Sequence, residues 1–371
     1  MPDGKGAKGK GARGKGRRAT GDGRQGTART VLFAPTPDPR PPTPSLRLSV
    51  AVVGAGRLGT ALARALAAAG CEIGAVVARR AASARRASAL VGTNPPALPA
   101  AQLERLPAVD LLLLTTPDDA LAEVVGRLAA LGEDGGTRAR QKAGAQRGAD
   151  ARGRGGDASA TRIGRVVALH ASGALGSEVL APLRARGYAV GSLHPLVSVS
   201  DARAGAEIFR GAFYCVEGDP AAVRLARRLA GALGGRSFTV ATDRKALYHA
   251  AAVMTSGHTV ALFDTAARLL ARCGLTPARA RQVLLPLLRS TFENLSALPP
   301  ARALTGTYAR ADADTVRKHL SALAAAGDPD ALAVYVLLGR LSLQLAAEAG
   351  ADDASLKEIA RLLDDSVKIP R

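Results

Sequence analysis

The chain has 371 residues, of which 47% are hydrophobic, three are cysteines and enough are basic to give a formal net charge of +20. This length and composition allow two domains with cores of their own. No apolar run promises the roughly 20 residues of a bilayer crossing and no secretory leader opens the chain, so a cytoplasmic protein without a membrane partner is expected. Cys71, Cys215 and Cys273 are scattered without disulfide-framework or metal-ligand spacing, and no metal is expected.

In chain order, residues 1–46 come first as a basic tail. Residues 1–47 hold eleven Lys/Arg against three Asp/Glu, and residues 132–165 hold eight against four. Both stretches have too few apolar side chains to offset the entropy of ordering. The tail and a 132–162 insertion are therefore expected to be disordered. They attract nucleic acid only non-specifically, and a composition biased toward Gly, Ala and Arg explains them as well, so no nucleic-acid partner is expected.

After the linker PTPDPRPPTP, short apolar runs alternate with amphipathic helical ones over 47–241, the pattern of a doubly wound α/β sheet. LSVAVVG, EIGAVVAR, LLLLTTP, RVVALHASG, AVGSLHP, GAFYCVEG and RSFTVA read as strands. RLGTALARALAAAG, DDALAEVVGRLAAL with Asp118 or Asp119 as cap, VLAPLRARG and DPAAVRLARRLAGALGG read as helices. From 242 to 371 the period is helical throughout. A long helix, DRKALYHAAAVMTSGHTVALFDTAARLLARCG, is closed by Gly274, a second runs from Thr276 with a kink at Pro286, and others begin at Asp312 or Asp314, at Asp328 and near Asp352. The apolar circumference of the long helix predicts burial against the sheet domain and the helices of a second subunit, a homodimer.

The strand at residue 50 runs into Gly54, Gly56 and Gly59 and then a helix, with a second strand within about thirty residues. In that setting Gly54 makes the tight turn, Gly56 admits a pyrophosphate, Gly59 lets helix pack on strand, and the amides of Arg57 and Leu58 open the helix toward the phosphates. A NAD site places a carboxylate at the end of the second strand. Here Ala78, Arg79 and Arg80 stand there, and two guanidiniums match the 2′-phosphate of NADP(H) better than the bare ribose of NAD(H). A solvated arginine pair is the plain alternative.

Ligands of open parallel sheets sit beyond the carboxyl ends of the strands. Three polar clusters fall there: Thr115, Thr116 and Pro117; His170 with Ser172 and Gly173; and His194 with Pro195. The threonines line a cofactor or cap strand ends, Ser172 has a hydroxyl for a substrate carbonyl or carboxylate, and each histidine is either a proton carrier or a satisfied structural group. On the long helix, Lys245, His249 and Ser256 share one stripe, with Lys245 or His249 as the group that moves a proton. His258 falls about half a turn away and faces elsewhere. In ALTGTYARADADTV, Thr305 opens a loop and Arg310 either clamps a substrate carboxylate or pairs with Asp312.

VVGAGRLG, TTPDDAL, LHASGALGSEVLAPL, GSLHPL, KALYHAAAVMTSGHTVAL and ALTGTYARADADTVRKHL together resemble a family that joins a Rossmann-like domain to a helical domain of unknown function. That family is related to pyrroline-5-carboxylate reductase, prephenate dehydrogenase and the beta-hydroxyacid dehydrogenases. The resemblance spans about residues 48–345. It implies a 6-phosphogluconate dehydrogenase-like architecture, with the helical part serving substrate binding and dimerisation. It also implies a site at His194 and an acid at Lys245, while His249 stands where the beta-hydroxyacid dehydrogenases have an Asn. His258 weakly matches a histidine-bearing helix of prephenate dehydrogenases. The expectation is an NADP(H)-dependent oxidoreductase acting on a small anionic carbonyl, hydroxyl or imine compound, with a non-catalytic NADP(H)-binding sensor or scaffold as the alternative.

Overall fold

The computed structural model describes residues 46–131 and 166–367. The expected tail and insertion lie outside the described residues. Eight strands form one sheet: β1 Ser49–Val53, β2 Glu72–Ala78, β3 Ala97–Pro99, β4 Leu111–Leu114, β5 Val167–His170, β6 Ala189–Pro195, β7 Phe213–Gly218 and β8 Arg236–Phe238. Their order is β3-β2-β1-β4-β5-β6-β7-β8. All neighbours pair in parallel except β6 and β7.

The sheet is covered on both faces. Val50 and Val52 belong to one apolar cluster, whose outer layer includes Leu62 and Leu66 of α1 (Arg57–Ala68). Ala51 and Val53 belong to the opposite cluster, with Leu121 and Val125 of α3 (Asp118–Ala130). Strands buried on two sides need unbroken apolar sequence, which is why SVAVV and LLLL do not alternate.

Several local expectations differ from the structure. A helix, α2 (Ala81–Val91), and the short edge strand β3 occupy a stretch whose weak amphipathicity hid them. Pro117 occupies the cap position of α3, with Asp118 and Asp119 in its first turn, where they favour the positive helix end without capping it. The helix expected over 179–187 shrinks to a 3₁₀ turn at Ser177–Leu180 and one α turn, α4 (Ala181–Arg184). The next, α5, spans Pro220–Ala232.

The long helix is α6 (Lys245–Val253), a π-helical turn at Met254–His258, and α7 (Thr259–Arg272). A π turn adds a residue to the ladder and rotates the helix beyond it, and such turns often mark functional positions. After it come α8 (Pro277–Ala297), which runs through Pro286, α9 (Pro300–Ala303), α10 (Ala313–Ala326), α11 (Pro329–Glu348) and α12 (Asp353–Val367). Helices α10 to α12 close a third core around Val316, Val336, Ile359 and Leu363. Contrary to the sequence expectation, α11 is by length and composition able to cross a membrane, with a mean hydropathy of 1.4. In this fold its Val336 and Ala346 serve that core, and Arg340 pairs with Asp364 of α12 at 2.7 Å.

Candidate functional site

The glycine turn sits at the carboxyl end of β1. Gly54 and Ala55 donate their amides to the Val77 carbonyl of β2, closing a turn in which Gly54 has φ +104°. A Cβ there would lie 2.4 Å from the Thr116 amide nitrogen, so both conformation and space demand glycine. Gly59 packs against Thr115 Oγ1 and the Gly54 carbonyl, as the motif requires. Gly56 and Arg57 are exposed at the start of α1, with no acidic residue in its first turn and no side-chain cap. The exposed helix start, with no side-chain cap on its first-turn amides, and the open approach fit a pyrophosphate, while the Gly56 amide itself donates to the Gly54 carbonyl at 2.6 Å. Arg79 and Arg80 are exposed just beyond β2, and among the described residues neither has an ion pair.

Around the cradle, the polar candidates divide into occupied and open groups. Thr115 Oγ1 donates to the Gly54 carbonyl at 2.8 Å, a strand-end cap that holds the turn. Thr116 Oγ1 is buried and without a hydrogen-bond partner. His170 is fully buried: Nδ1 accepts the Ser172 amide at 3.2 Å, and Nε2 lies 3.2 Å from the Gly176 carbonyl to which it donates. Burial and the nearby Lys245 charge pull its pKa down to about 4, so it is a neutral structural imidazole. Ser172 corrects the expectation of a substrate-binding hydroxyl. Its Oγ donates to Asp118 at 2.8 Å and accepts the Ala174 and Leu175 amides, which fills its capacity.

Lys245, expected with His249 as a group that moves a proton, is enclosed rather than set in an open site. It is fully buried, and Nζ donates to Ser192 Oγ at 2.8 Å and to the Ser172 carbonyl at 3.3 Å, with Glu217 Oε1 at 3.6 Å. Burial lowers its pKa, and Glu217 opposes the shift. Glu217 accepts Ser177 N–H at 2.9 Å and Ser177 Oγ–H at 2.8 Å. Burial pushes its carboxyl upward, but hydrogen bonds from Ser192 and Ser177 and the Lys245 charge outweigh it, and the net shift is down. The ion pair pins the 172–177 loop from beneath to the first turn of α6. Sequence reasoning missed Glu217, although a carboxylate inside the apolar strand FYCVEG was a visible signal.

His194 and His249 come together. Their rings lie edge to face, 5.4 Å between centroids, and a Cβ on Gly173 would lie 2.9 Å from His194 Nε2 and 2.3 Å from His249 Nδ1. The glycine lets both nitrogens converge on one wall. His194 Nδ1 is 2.6 Å from the Tyr248 hydroxyl, while His249 Nδ1 is buried without a partner. Burial, then His249 and Lys245, pull the His194 pKa down to about 4, and burial foremost pushes Tyr248 up. Tyr248 also escaped sequence reasoning, since nothing but its place beside His249 marks it.

These groups line a cavity of about 770 Å³ together with Ser256, Thr255 and an apolar wall that includes Leu196, Phe238 and Val253. Ser256 therefore joins the histidines as expected. His258 is exposed and outside the lining. Thr305 and Arg310 also lie outside it, in a loop that ends at Ala311 in the left-handed conformation (φ 50°). Arg310 does lower the Asp312 pKa, after the larger effect of the Thr315 amide and hydroxyl.

Residues 36–150 match the Rossmann-like domain family, and residues 212–342 match the domain of unknown function DUF2520. A Bacteroides fragilis protein provisionally named an NADP oxidoreductase has a similar fold, with a TM-score of 0.60, 22% identity, and coverage of 80% of this chain and 98% of its own. A Thermotoga maritima protein whose name states no activity is similar at a TM-score of 0.57, 21% identity, and coverage of 81% and 99%. No curated protein matches the sequence.

Proposed function

From a chain that joins a Rossmann-like domain to a domain of unknown function 2520, we propose an NADP(H)-dependent oxidoreductase acting on a small carbonyl, hydroxyl or imine compound. The observation that carries this reading is the open glycine turn with two exposed arginines immediately past β2. Gly54, Gly56 and the Arg57 and Leu58 amides would hold the pyrophosphate, and Arg79 and Arg80 the 2′-phosphate. When bound, the nicotinamide supplies or accepts a hydride.

The chain's own part is to orient substrate and move a proton. His194 and His249 line the cavity side by side, and a substrate oxygen or nitrogen bound there would share or receive a proton at the imidazole pair. Tyr248 holds His194 Nδ1 and so fixes its ring and tautomer. Lys245, with Ser192, Ser172 and Glu217 around its ammonium, acts as a positioning residue that keeps Gly173 against the imidazoles. Those engaged donors also favour the alternative of NADP(H) held without turnover.

Calorimetric titration tests the cofactor. NADPH should bind well above NADH, and Arg79→Ala/Arg80→Ala should lose roughly tenfold or more in NADPH affinity while leaving NADH unchanged. A preference for NADH in the unaltered chain would overturn the assignment. Once a substrate is in hand, full turnover by both His194→Ala and His249→Ala would overturn the proton role of the imidazole pair.

A further inference from the structure

We infer that the substrate of this oxidoreductase is uncharged where it meets the imidazole pair: an apolar carbonyl, alcohol or imine compound without a carboxylate in that cavity. The inference rests on the functional reading above and departs from the anionic substrate expected from the sequence.

The cavity's composition is the first argument. Its wall is formed by Leu196, Phe238, Val253 and small apolar neighbours, and no Asp, Glu, Lys or Arg is among its lining residues. At about 770 Å³ it has room for a ligand of metabolite size. A carboxylate resting in it would meet no cation among the described residues, whereas a hydrocarbon body gains from contact with the apolar wall.

The nearby cationic candidates are the second argument. Lys245 points inward, its ammonium engaged by Ser192, the Ser172 carbonyl and Glu217. His194, with a pKa pulled to about 4 by burial first and by His249 and Lys245 next, carries no charge at neutral pH.

What remains is hydrogen bonding. His249 Nδ1 is buried and unpartnered beside His194, and an unmet buried polar atom costs about 1–3 kcal/mol. A single oxygen or nitrogen on an otherwise apolar molecule matches the few neutral polar groups of the lining, the two imidazoles and the hydroxyls of Ser198, Tyr248, Thr255 and Ser256.

Matched ligands that need no turnover separate the possibilities. The full chain, saturated with NADP⁺, is titrated calorimetrically with hexanamide and with hexanoate, which share shape and differ in charge. Hexanamide should bind about tenfold or more tightly than hexanoate. Ser198→Arg, which places a cation at an exposed lining position, should bring hexanoate to parity. Tighter binding of hexanoate by the unaltered chain would overturn the inference and point to a cation supplied by a second copy. Binding of neither ligand would overturn the cavity as the substrate site. The NADPH titration is independent of both results, so a failed cofactor reading is recognised separately.

Discussion

The strands at the middle of the sheet and the two helices that come after it, α6–α7 and α8, are both written in apolar residues, but one chain buries only the first. Val50, Ala51 and Val52 are 0% exposed between two helical layers. Leu247 is 68% exposed, Val260 69% and Leu287 64%, and Met254 and Phe292 share that condition. The crossover connections of a parallel sheet bring their own cover, since each helix returns over the strands it joins. Two successive helices have no such return, so their outer face needs a surface from elsewhere. A second copy of the chain is the occupant we propose, because exposed apolar side chains on adjacent helices can pair with their own copies about a two-fold axis.

The largest effect is expected where the two regions meet. Lys245, from the helical side, is neutralised by Glu217, from the sheet. Lys245→Met leaves a buried carboxylate unpaired and should cost about 3–5 kcal/mol in denaturant unfolding, with much of it recovered in Lys245→Met/Glu217→Gln. A stable single variant would mean that the pair does not join the regions. Within the sheet half, Gly54→Val forces a Cβ against the Thr116 amide at a left-handed φ. It should cost about 1–3 kcal/mol of strain and abolish measurable NADPH binding.

A smaller effect is expected from pH. His170 and His194 both have folded pKa values near 4, below the ordinary 6.5. The unfolded chain takes up protons first, so stability is full above about pH 7 and falls as pH drops from 6.5 toward 4. The slope should reach about 1.4 kcal/mol per pH unit for each group. Unfolding curves at pH 7, 5.5 and 4.5 measure it, and His194→Gln should flatten it. A slope unaffected by that variant would show His194 to be solvated in the folded state.

The difference between the regions also governs what could be read from sequence. Sheet strands such as LLLL at 111–114 and the Gly54 turn announce themselves locally, by period and by residue type. The same holds for helix ends, as at Thr276, Asp312 and Asp328, whose side chains accept the amides three residues on. The polar site was less legible, because its geometry depends on contacts across long separations. His194 meets Tyr248 and His249, 54 and 55 positions later, and the Ser172 hydroxyl is taken by Asp118, 54 earlier. Helical spacing put Lys245 and His249 on one stripe correctly, but it could not reveal that Glu217 would draw the lysine inward while the histidine stays at the cavity.

The smallest effect on the folded chain should come from the exposed helical face, and it discriminates most sharply between the two regions. Leu247→Asp/Leu287→Asp replaces side chains that are already in water in a single chain, so the monomer's stability should change by no more than about 0.5 kcal/mol per site. If the face closes on a second copy, those carboxylates become buried and unpaired across the contact, and sedimentation should show the mass of the unaltered protein halved. The dependence of its melting temperature on protein concentration should vanish at the same time. A concentration-independent monomer mass before any substitution would refute the second copy, and the apolar face would then require a different occupant.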